Sequence, residues 1–320
     1  MTKFKTDVEA ADALASVTSA LRSEISKVVV GQTGVIDQLL MAVFCKGHAL
    51  LIGVPGLAKT LLVQTLAGTM DLQFKRIQFT PDLMPSDITG SETLDKERNF
   101  QFVKGPVFAN VVLADEINRT PPKTQAALLE AMQENAVTIS GQRHGLPQPF
   151  FVLATQNPIE QEGTYPLPEA QLDRFMFSIH LDYPPFSDEV AIVKATTIDS
   201  NPTLSAILGA DDILAYQQLI RRVPVADNVV EYAVRLAQST RPGVGQDVAS
   251  KWLEWGAGPR ASQFLVMGAK CHALLSGKYS PDVDDIRAVA LPVLRHRMVR
   301  NYKAEAEGVS IGDILSRLMA

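Results

Sequence analysis

An apolar run passes directly into a loop of small residues in the segment His48-Ala49-Leu50-Leu51-Ile52-Gly53-Val54-Pro55-Gly56-Leu57-Ala58-Lys59-Thr60. The run is short and continuously apolar, which is typical of a buried parallel strand. The loop matches the template G-x-x-x-x-G-K-[ST] at Gly53, Lys59 and Thr60, but Ala58 replaces the second glycine. In such loops backbone N–H groups bind phosphate oxygens, the lysine contacts the outer phosphates and the hydroxyl coordinates Mg²⁺. The segment predicts a phosphate-binding turn, with an ordinary Gly/Pro turn before a helix as the alternative.

Two further apolar runs end in polar side chains. Asp115 and Glu116 follow the run 111–114, and Asn157 follows the run 150–154. Because the carboxyl ends of parallel strands share one edge of a sheet, we expect these side chains beside the phosphate loop. Asp115 would hold Mg²⁺ through water, Glu116 would act as general base toward the attacking water, and Asn157 would orient that water or contact the γ-phosphate. The alternatives are a solvated acidic turn and an ordinary turn residue before a proline.

Two arginines are candidates for contacts with phosphate, because the guanidinium group stays charged and grips phosphate oxygens in pairs. Arg174 is a candidate arginine finger, and a surface ion pair with Asp173 or Glu169 is its alternative. Arg260 opens a helical pattern after a Gly/Pro turn, where it could report the nucleotide state to the carboxyl-terminal part. An ordinary surface arginine is the alternative there.

Composition excludes several classes of protein. The chain has 320 residues, of which 46% are hydrophobic and 20% charged, as in ordinary globular proteins. No apolar run is long enough to span a membrane, and acidic residues interrupt Met1–Glu9, so we expect neither a signal peptide nor a location outside the cytoplasm. The two cysteines, Cys45 and Cys271, are expected to be buried free thiols. The net charge of -5 argues against a broad nucleic-acid footprint but leaves a local basic patch open.

The order of patterns predicts two domains. Residues 9–45 contain two helical patterns, after which strands alternate with helices as far as the proline pair at 184–185. We therefore predict an α/β domain at 1–184, built on a parallel sheet flanked by helices. Residues 185–320 show helical patterns and no convincing strand, which predicts a small all-α lid domain. A helix over 282–300 is expected to be interrupted at Pro292.

Taken in order, these motifs resemble the AAA+ ATPases, specifically the MoxR family, over nearly the whole chain. The family's pattern carries alanine before the Walker A lysine, so Ala58 agrees with it. Serine is common where this chain has Gly258, a departure that leaves the role of Arg260 intact. The matching segments are an adenine-side motif (Val30-Gly31-Gln32), Walker A (53–60), the most specific stretch (76–90), Walker B (113–119), sensor 1 (154–158), the arginine-finger segment (168–175) and sensor 2 (258–260).

The resemblance implies a ring, expected to be a hexamer, with ATP and Mg²⁺ bound between neighbouring subunits and Arg174 reaching the adjacent nucleotide. It implies that the parallel sheet is five-stranded. It also implies inserted hairpins at about 88–108 and 136–150, which usually face the pore or a partner. Family members are linked to maturation or activation of client proteins, often with a von Willebrand factor A domain partner. Thr60 and Asp115 would serve the metal, and the nucleotide contacts implied are Val30, Gly31, Gln32, Gly53, Val54, Pro55, Gly56, Leu57, Ala58, Lys59, Thr60 and Leu61.

Three functions remain open at this point. The first is an ATP-driven, chaperone-like remodeller of partner proteins. The second is a nucleic-acid motor, in which Lys96, Arg98, Lys104 and Arg143 would line a pore rather than serve as solvated hairpin charges. The third is a scaffold gated by ATP with little turnover. Fold analogy alone does not choose between them.

Overall fold

The computed structural model describes residues 4–94, 96–97, 99–159, 162–198, 202–244 and 247–320. Arg98, named above as a candidate pore cation, lies outside these residues, as do Met1–Lys3 at the amino terminus. Within the described ranges, no helix has both the length and the apolarity needed to cross a membrane.

The first part of the chain alternates between strands and helices after two initial helices. Its elements are α1 Asp7–Ser26, α2 Thr33–Phe44, β1 Ala49–Ile52, α3 Lys59–Thr69, β2 Phe74–Gln78, α4 Pro85–Thr89, β3 Gly90–Leu94, β4 Phe100–Lys104, β5 Val111–Asp115, α5 Pro122–Glu134, β6 Ala136–Ile139, β7 Gln142–Gly145, β8 Phe151–Gln156, α6 Glu169–Leu172 and β9 Phe177–His180.

Five of these strands form the central sheet, in the order β2-β5-β8-β1-β9, and every neighbouring pair is parallel. Side chains alternate between two apolar faces. Leu51 and Leu113 point toward the face covered by α1, α2 and α3, and Leu50 and Val112 toward the face covered by α5. The predicted parallel five-stranded sheet flanked by helices is confirmed.

The second part of the chain is largely helical, as predicted. Its elements are α7 Phe186–Thr196, α8 Ala210–Arg222, α9 Asp227–Ser239, α10 Asp247–Trp252, β10 Leu253–Trp255, α11 Pro259–Leu275, α12 Val283–Leu294, β11 Val299–Arg300, α13 Tyr302–Ala306 and α14 Ile311–Met319.

Two details of this part differ from the sequence expectation. The short strands β10 and β11 pair antiparallel, although no alternating pattern had indicated a strand there, because three- and two-residue strands are too short to show a period. Helix α12 continues through Pro292 rather than breaking at it. Pro292 lies in the last turn, where the helix loses one donor and ends two residues later.

The helical part does not form a separate core. Leu219 of α8 and Leu265 of α11 are buried in the same hydrophobic cluster as Leu14 of α1 and Leu51 of the sheet. Helix α12 packs against β9, the outermost strand of the sheet. The helical part is therefore fixed against the sheet, and the boundary at residue 184 remains a prediction.

Two antiparallel hairpins project from the sheet domain at the positions expected for inserts. The β3–β4 hairpin and the β6–β7 hairpin contact each other. The rings of Phe102 and His144 stack with centroids 4.2 Å apart, and the hydroxyl of Ser140 donates to Glu92 at 2.6 Å. The two hairpins thus form one joint surface.

Candidate functional site

The phosphate-loop segment connects β1 to α3. A Cβ at Gly53 would lie 3.0 Å from the carbonyl oxygen of Leu181, so the chain passes too close there for a larger residue. The Nζ of Lys59 donates to the carbonyl oxygen of Gly53 at 2.6 Å, which folds the lysine back over the loop. Gly56 has a φ of 88°, and the loop therefore turns where only glycine is unstrained.

Position 58, where the loop departs from the template, has an unusual backbone conformation. Ala58 has a φ of 52° and is the residue before the first turn of α3. This left-handed conformation costs an alanine about 1 kcal/mol relative to glycine. The first N–H groups of α3 point out of the helix unpaired, which is the arrangement that binds an anion.

The carboxylate of Asp115 ends β5 and is nearly buried, with 9% of the residue exposed. The hydroxyl of Thr155 donates to one carboxylate oxygen at 2.6 Å, and the guanidinium of Arg76 donates to the other at 2.7 Å. Thr155 lies beside Asp115 on the neighbouring strand β8, on the face of the sheet that carries α3. Asp115 is therefore rigidly oriented toward the side where the phosphate loop and Thr60 lie.

Glu116 follows in a left-handed conformation, with a φ of 57°. Its backbone N–H donates to the hydroxyl of Thr155 at 2.9 Å, so a single hydroxyl fixes both acidic residues. Its carboxylate accepts hydrogen bonds from Gln78 at 2.8 Å and from Arg119 at 3.2 Å. These donors hold the carboxylate at the carboxyl edge of the sheet, where a general base would be needed.

Asn157 lies at the same edge, next to the phosphate loop. The backbone N–H of Gly53 donates to the carbonyl oxygen of Gln156 at 3.3 Å, which brings the start of the loop against the residue before Asn157. The side-chain oxygen of Asn157 accepts from the N–H of Ile159 at 3.2 Å. Its amide nitrogen is then the group that remains to donate toward a phosphate or a water.

The adenine-side motif, Val30–Gln32, also reaches this edge. Helix α2 begins after Gln32 and leads, through the turn at 45–48, to the amino end of β1. Its 12 residues span roughly 18 Å, so its start lies toward the carboxyl ends of the strands. The side-chain oxygen of Gln32 is buried and has no hydrogen-bond partner among the described residues, which leaves an acceptor for a ligand amino group.

The donor set at this edge fits Mg²⁺. The hydroxyl of Thr60 and the carboxylate of Asp115 are the hard oxygen ligands that this ion prefers. Asp115 would hold the metal through a water molecule, and its two oxygens would keep the hydrogen bonds from Thr155 and Arg76.

The two candidate arginines lie at the opposite edge of the sheet. Arg174 lies just before β9, and His48 lies just before β1. The N–H of Met176 donates to the carbonyl oxygen of His48 at 2.8 Å, so Arg174 lies near the amino ends of these two strands. Arg260 donates to Asp173 at 3.2 Å and lines the same pocket as Arg174. The four residues of β1 separate this edge from the phosphate loop by roughly 13 Å.

The bonds around Arg174 differ from the alternative considered for it. Asp173 pairs with Arg260 and with the buried Arg297, whose Nε lies 2.7 Å from the carboxylate. No ion pair of Arg174 with Asp173 or Glu169 occurs among the described residues. The guanidinium of Arg174 is therefore available at the surface, while Asp173 ties the α6–β9 turn to the helical part.

Three residues of the site were missed from the sequence. Arg76 and Gln78 lie on β2, and Thr155 lies one position beyond the apolar part of β8. Each contacts Asp115 or Glu116 across a strand boundary. Gln78 and Thr155 lie at or next to the carboxyl ends of their strands, which was the available signal, because polar residues there face the ligand edge; Arg76 lies in the middle of β2 and carried no such signal.

Comparisons with known proteins agree with this arrangement. Residues 48–177 match the ATPase family associated with various cellular activities (AAA), and residues 246–318 match the AAA lid domain. Chaperone MoxR1 of Mycobacterium tuberculosis is 43% identical over 92% of this chain and 79% of its own length, and protein MoxR of Paracoccus denitrificans is 30% identical over 86% of both. The crystal structure of a candidate ATPase from Cytophaga hutchinsonii is 44% identical, with a TM-score of 0.90 over 97% of this chain and 96% of that one. By its fold, its motifs and these relatives, the chain belongs to the MoxR family of AAA+ ATPases.

Proposed function

We propose that this chain hydrolyses ATP at sites shared between neighbouring copies in a ring. One observation carries the proposal: the phosphate loop and acidic residues lie at one edge of the sheet, whereas Arg174 and Arg260 lie at the other. Neither arginine reaches the nucleotide of its own subunit across about 13 Å of sheet. A head-to-tail arrangement brings one subunit's arginines to the next subunit's phosphates, and repetition closes a ring. A hexamer is the expected form.

Within one subunit, the phosphate loop binds the triphosphate of ATP. The N–H groups of α3 and the Nζ of Lys59 contact the phosphate oxygens, after Lys59 leaves the carbonyl oxygen of Gly53. Gln32 accepts from the adenine amino group. Mg²⁺ held by Thr60 and, through water, by Asp115 would neutralise charge on the phosphates.

Glu116 is proposed as the general base for hydrolysis. Its carboxylate takes a proton from the attacking water, and the Asn157 amide orients that water or donates to the γ-phosphate. Arg174 and Arg260 of the adjacent copy stabilise the charge that builds on the transferred phosphoryl group. The site is therefore complete only when a neighbour is in place.

The work that hydrolysis drives is proposed to be chaperone-like remodelling of a client protein in the cytoplasm. The relative from M. tuberculosis bears the name of a chaperone. The joint surface of the two hairpins exposes Phe100 and Leu94, at 75% and 60%, as an apolar surface for a partner would. A von Willebrand factor A domain protein is the expected co-partner.

The test is Mg²⁺-dependent ATP turnover, compared between the wild type and Glu116→Gln. Turnover should fall by roughly 100-fold or more, because the amide cannot accept the proton, while affinity for ATP stays within about twofold. Equal turnover in the two proteins would remove Glu116 from the mechanism. Stimulation by DNA with a steep salt dependence would instead favour a nucleic-acid motor.

A further inference from the structure

A cationic pocket lies at the amino-end edge of the sheet. Its volume is about 310 Å³, and four cations from separate elements line it: Lys46, Arg174, Arg221 and Arg260. Lys46 is in the turn between α2 and β1, and Arg221 is near the end of α8. None of the described residues that line the pocket carries a carboxylate. The pocket therefore concentrates positive charge on one concave surface.

This charge is poorly balanced within the chain. Arg260 pairs with Asp173, but no ion pair involves Lys46, Arg174 or Arg221 in the ranges that the structure describes. Like charges in one concavity repel each other, and low-dielectric walls strengthen their field. The free energy of this arrangement falls when a multivalent anion enters the pocket.

The backbone at Lys46 supports a role for its side chain. Lys46 has a φ of 56°, just past the end of α2, and the N–H of Gly47 donates to the carbonyl oxygen of Ala42 at 2.8 Å. Glycine is the usual residue at such a helix end, because it adopts this conformation without strain. A lysine is retained there at a cost to stability, and its side chain is exposed beside the pocket.

We propose that Lys46 and Arg221 act with Arg174 and Arg260 to bind the triphosphate held by a neighbouring copy. The inference rests on the proposed shared site, and it adds two substrate-contacting residues to it. The four cations come from both the sheet domain and the helical part, so the neighbour's triphosphate would hold these two parts of the chain together. Loss of the γ-phosphate would weaken that hold.

The first experiment measures binding of inorganic tripolyphosphate to the full chain carrying Lys59→Ala, which impairs the chain's own phosphate loop. Adding Lys46→Gly or Arg221→Gln should each weaken binding roughly five- to tenfold, through the loss of one charge-assisted contact. Arg235→Gln is the control, because Arg235 is an exposed arginine paired with Glu231 on α9; it should leave binding unchanged. Unchanged binding in Lys46→Gly and Arg221→Gln overturns the proposal.

Stability separates a binding role from a structural one. Lys46→Gly should unfold at an equal or higher urea concentration than the parent chain, because glycine relieves the left-handed strain. If it unfolds at a clearly lower concentration, Lys46 is a structural residue and its part in the proposal is wrong.

Mixed assemblies separate this inference from the proposed function. Arg221→Gln subunits mixed with Glu116→Gln subunits should recover turnover, as Arg174→Ala subunits should. Recovery with Arg174→Ala but not with Arg221→Gln overturns the present inference and leaves the shared site standing. Recovery with neither overturns the shared site itself.

Discussion

Replacing Thr155 by valine tests how the two acidic residues are held in place. The substitution keeps the side chain's shape but removes the hydroxyl that donates to Asp115 and accepts from the N–H of Glu116. Thr155 is fully buried, so water does not replace the lost bonds. Leaving the N–H without an acceptor costs about 1–3 kcal/mol, and Asp115 loses one of two donors, so the free energy of unfolding should fall by about 2–4 kcal/mol.

The same substitution should reduce turnover. Glu116 adopts a left-handed conformation that costs about 1 kcal/mol, and its bond to Thr155 helps to hold it there. Without that bond the carboxylate shifts, and a misplaced base lowers kcat by roughly 10- to 100-fold. Affinity for ATP should change little, because Thr155 is not part of the phosphate loop.

The assays are urea unfolding and steady-state ATP turnover with Mg²⁺. Thr155→Ser keeps the hydroxyl and should preserve most of the turnover. Thr65→Val is the matched control. The buried hydroxyl of Thr65 in α3 has no hydrogen-bond partner in the part of the chain that the structure describes, so its loss should not destabilise the fold. Wild-type stability and turnover in Thr155→Val would refute this account of how Asp115 and Glu116 are positioned.

Three further predictions follow from individual contacts. Asn157→Asp should keep the oxygen that accepts from the N–H of Ile159, but it replaces the amide donor by a negative charge. The protein should still fold, and kcat should fall by roughly 100-fold. An unchanged kcat would exclude contact of Asn157 with phosphate or with the attacking water. Burial lowers the pKa of His48 in the folded state to about 4, below its value in the unfolded state. As pH falls, the unfolded state therefore binds a proton before the folded state does, and the free energy of unfolding decreases. Between pH 7.5 and pH 5 the unfolding free energy should drop by about 2 kcal/mol on this account, and urea titrations of His48→Gln should show a flatter dependence over that interval. Arg297→Met should destabilise the chain by about 3 kcal/mol, because Asp173 loses one of its two arginine partners and nearby buried carbonyl groups lose a donor; a thermal melt matching the wild type would contradict this.

The sequence predicted the elements that carry strong local signals. The apolar runs before Gly53, Asp115 and Asn157 are all strands of the central sheet, and their polar ends meet at one edge. This follows because a parallel sheet aligns the carboxyl ends of its strands, so position along the strand fixes position in space.

What the sequence did not predict depends on tertiary contacts or backbone conformation. The bond network of Thr155 joins residues about 40 positions apart, which no local pattern encodes. The left-handed conformation of Ala58 is set by the turn of the whole loop. The position of Arg260 at the edge opposite the phosphate loop depends on where α11 packs, and a helical period indicates a buried face but not its neighbour.

The most direct test of the shared site is a mixing experiment with two inactive variants. Arg174→Ala keeps its phosphate loop and Glu116, and Glu116→Gln keeps its arginines, so neither should turn over ATP alone. In a 1:1 mixture that reassembles at random, about one quarter of the interfaces pair an intact Glu116 with an intact neighbouring Arg174. ATP turnover of the mixture should therefore reach about one quarter of the wild-type rate. A mixture that stays as inactive as its two components would contradict the claim that Arg174 acts on the nucleotide of the adjacent copy.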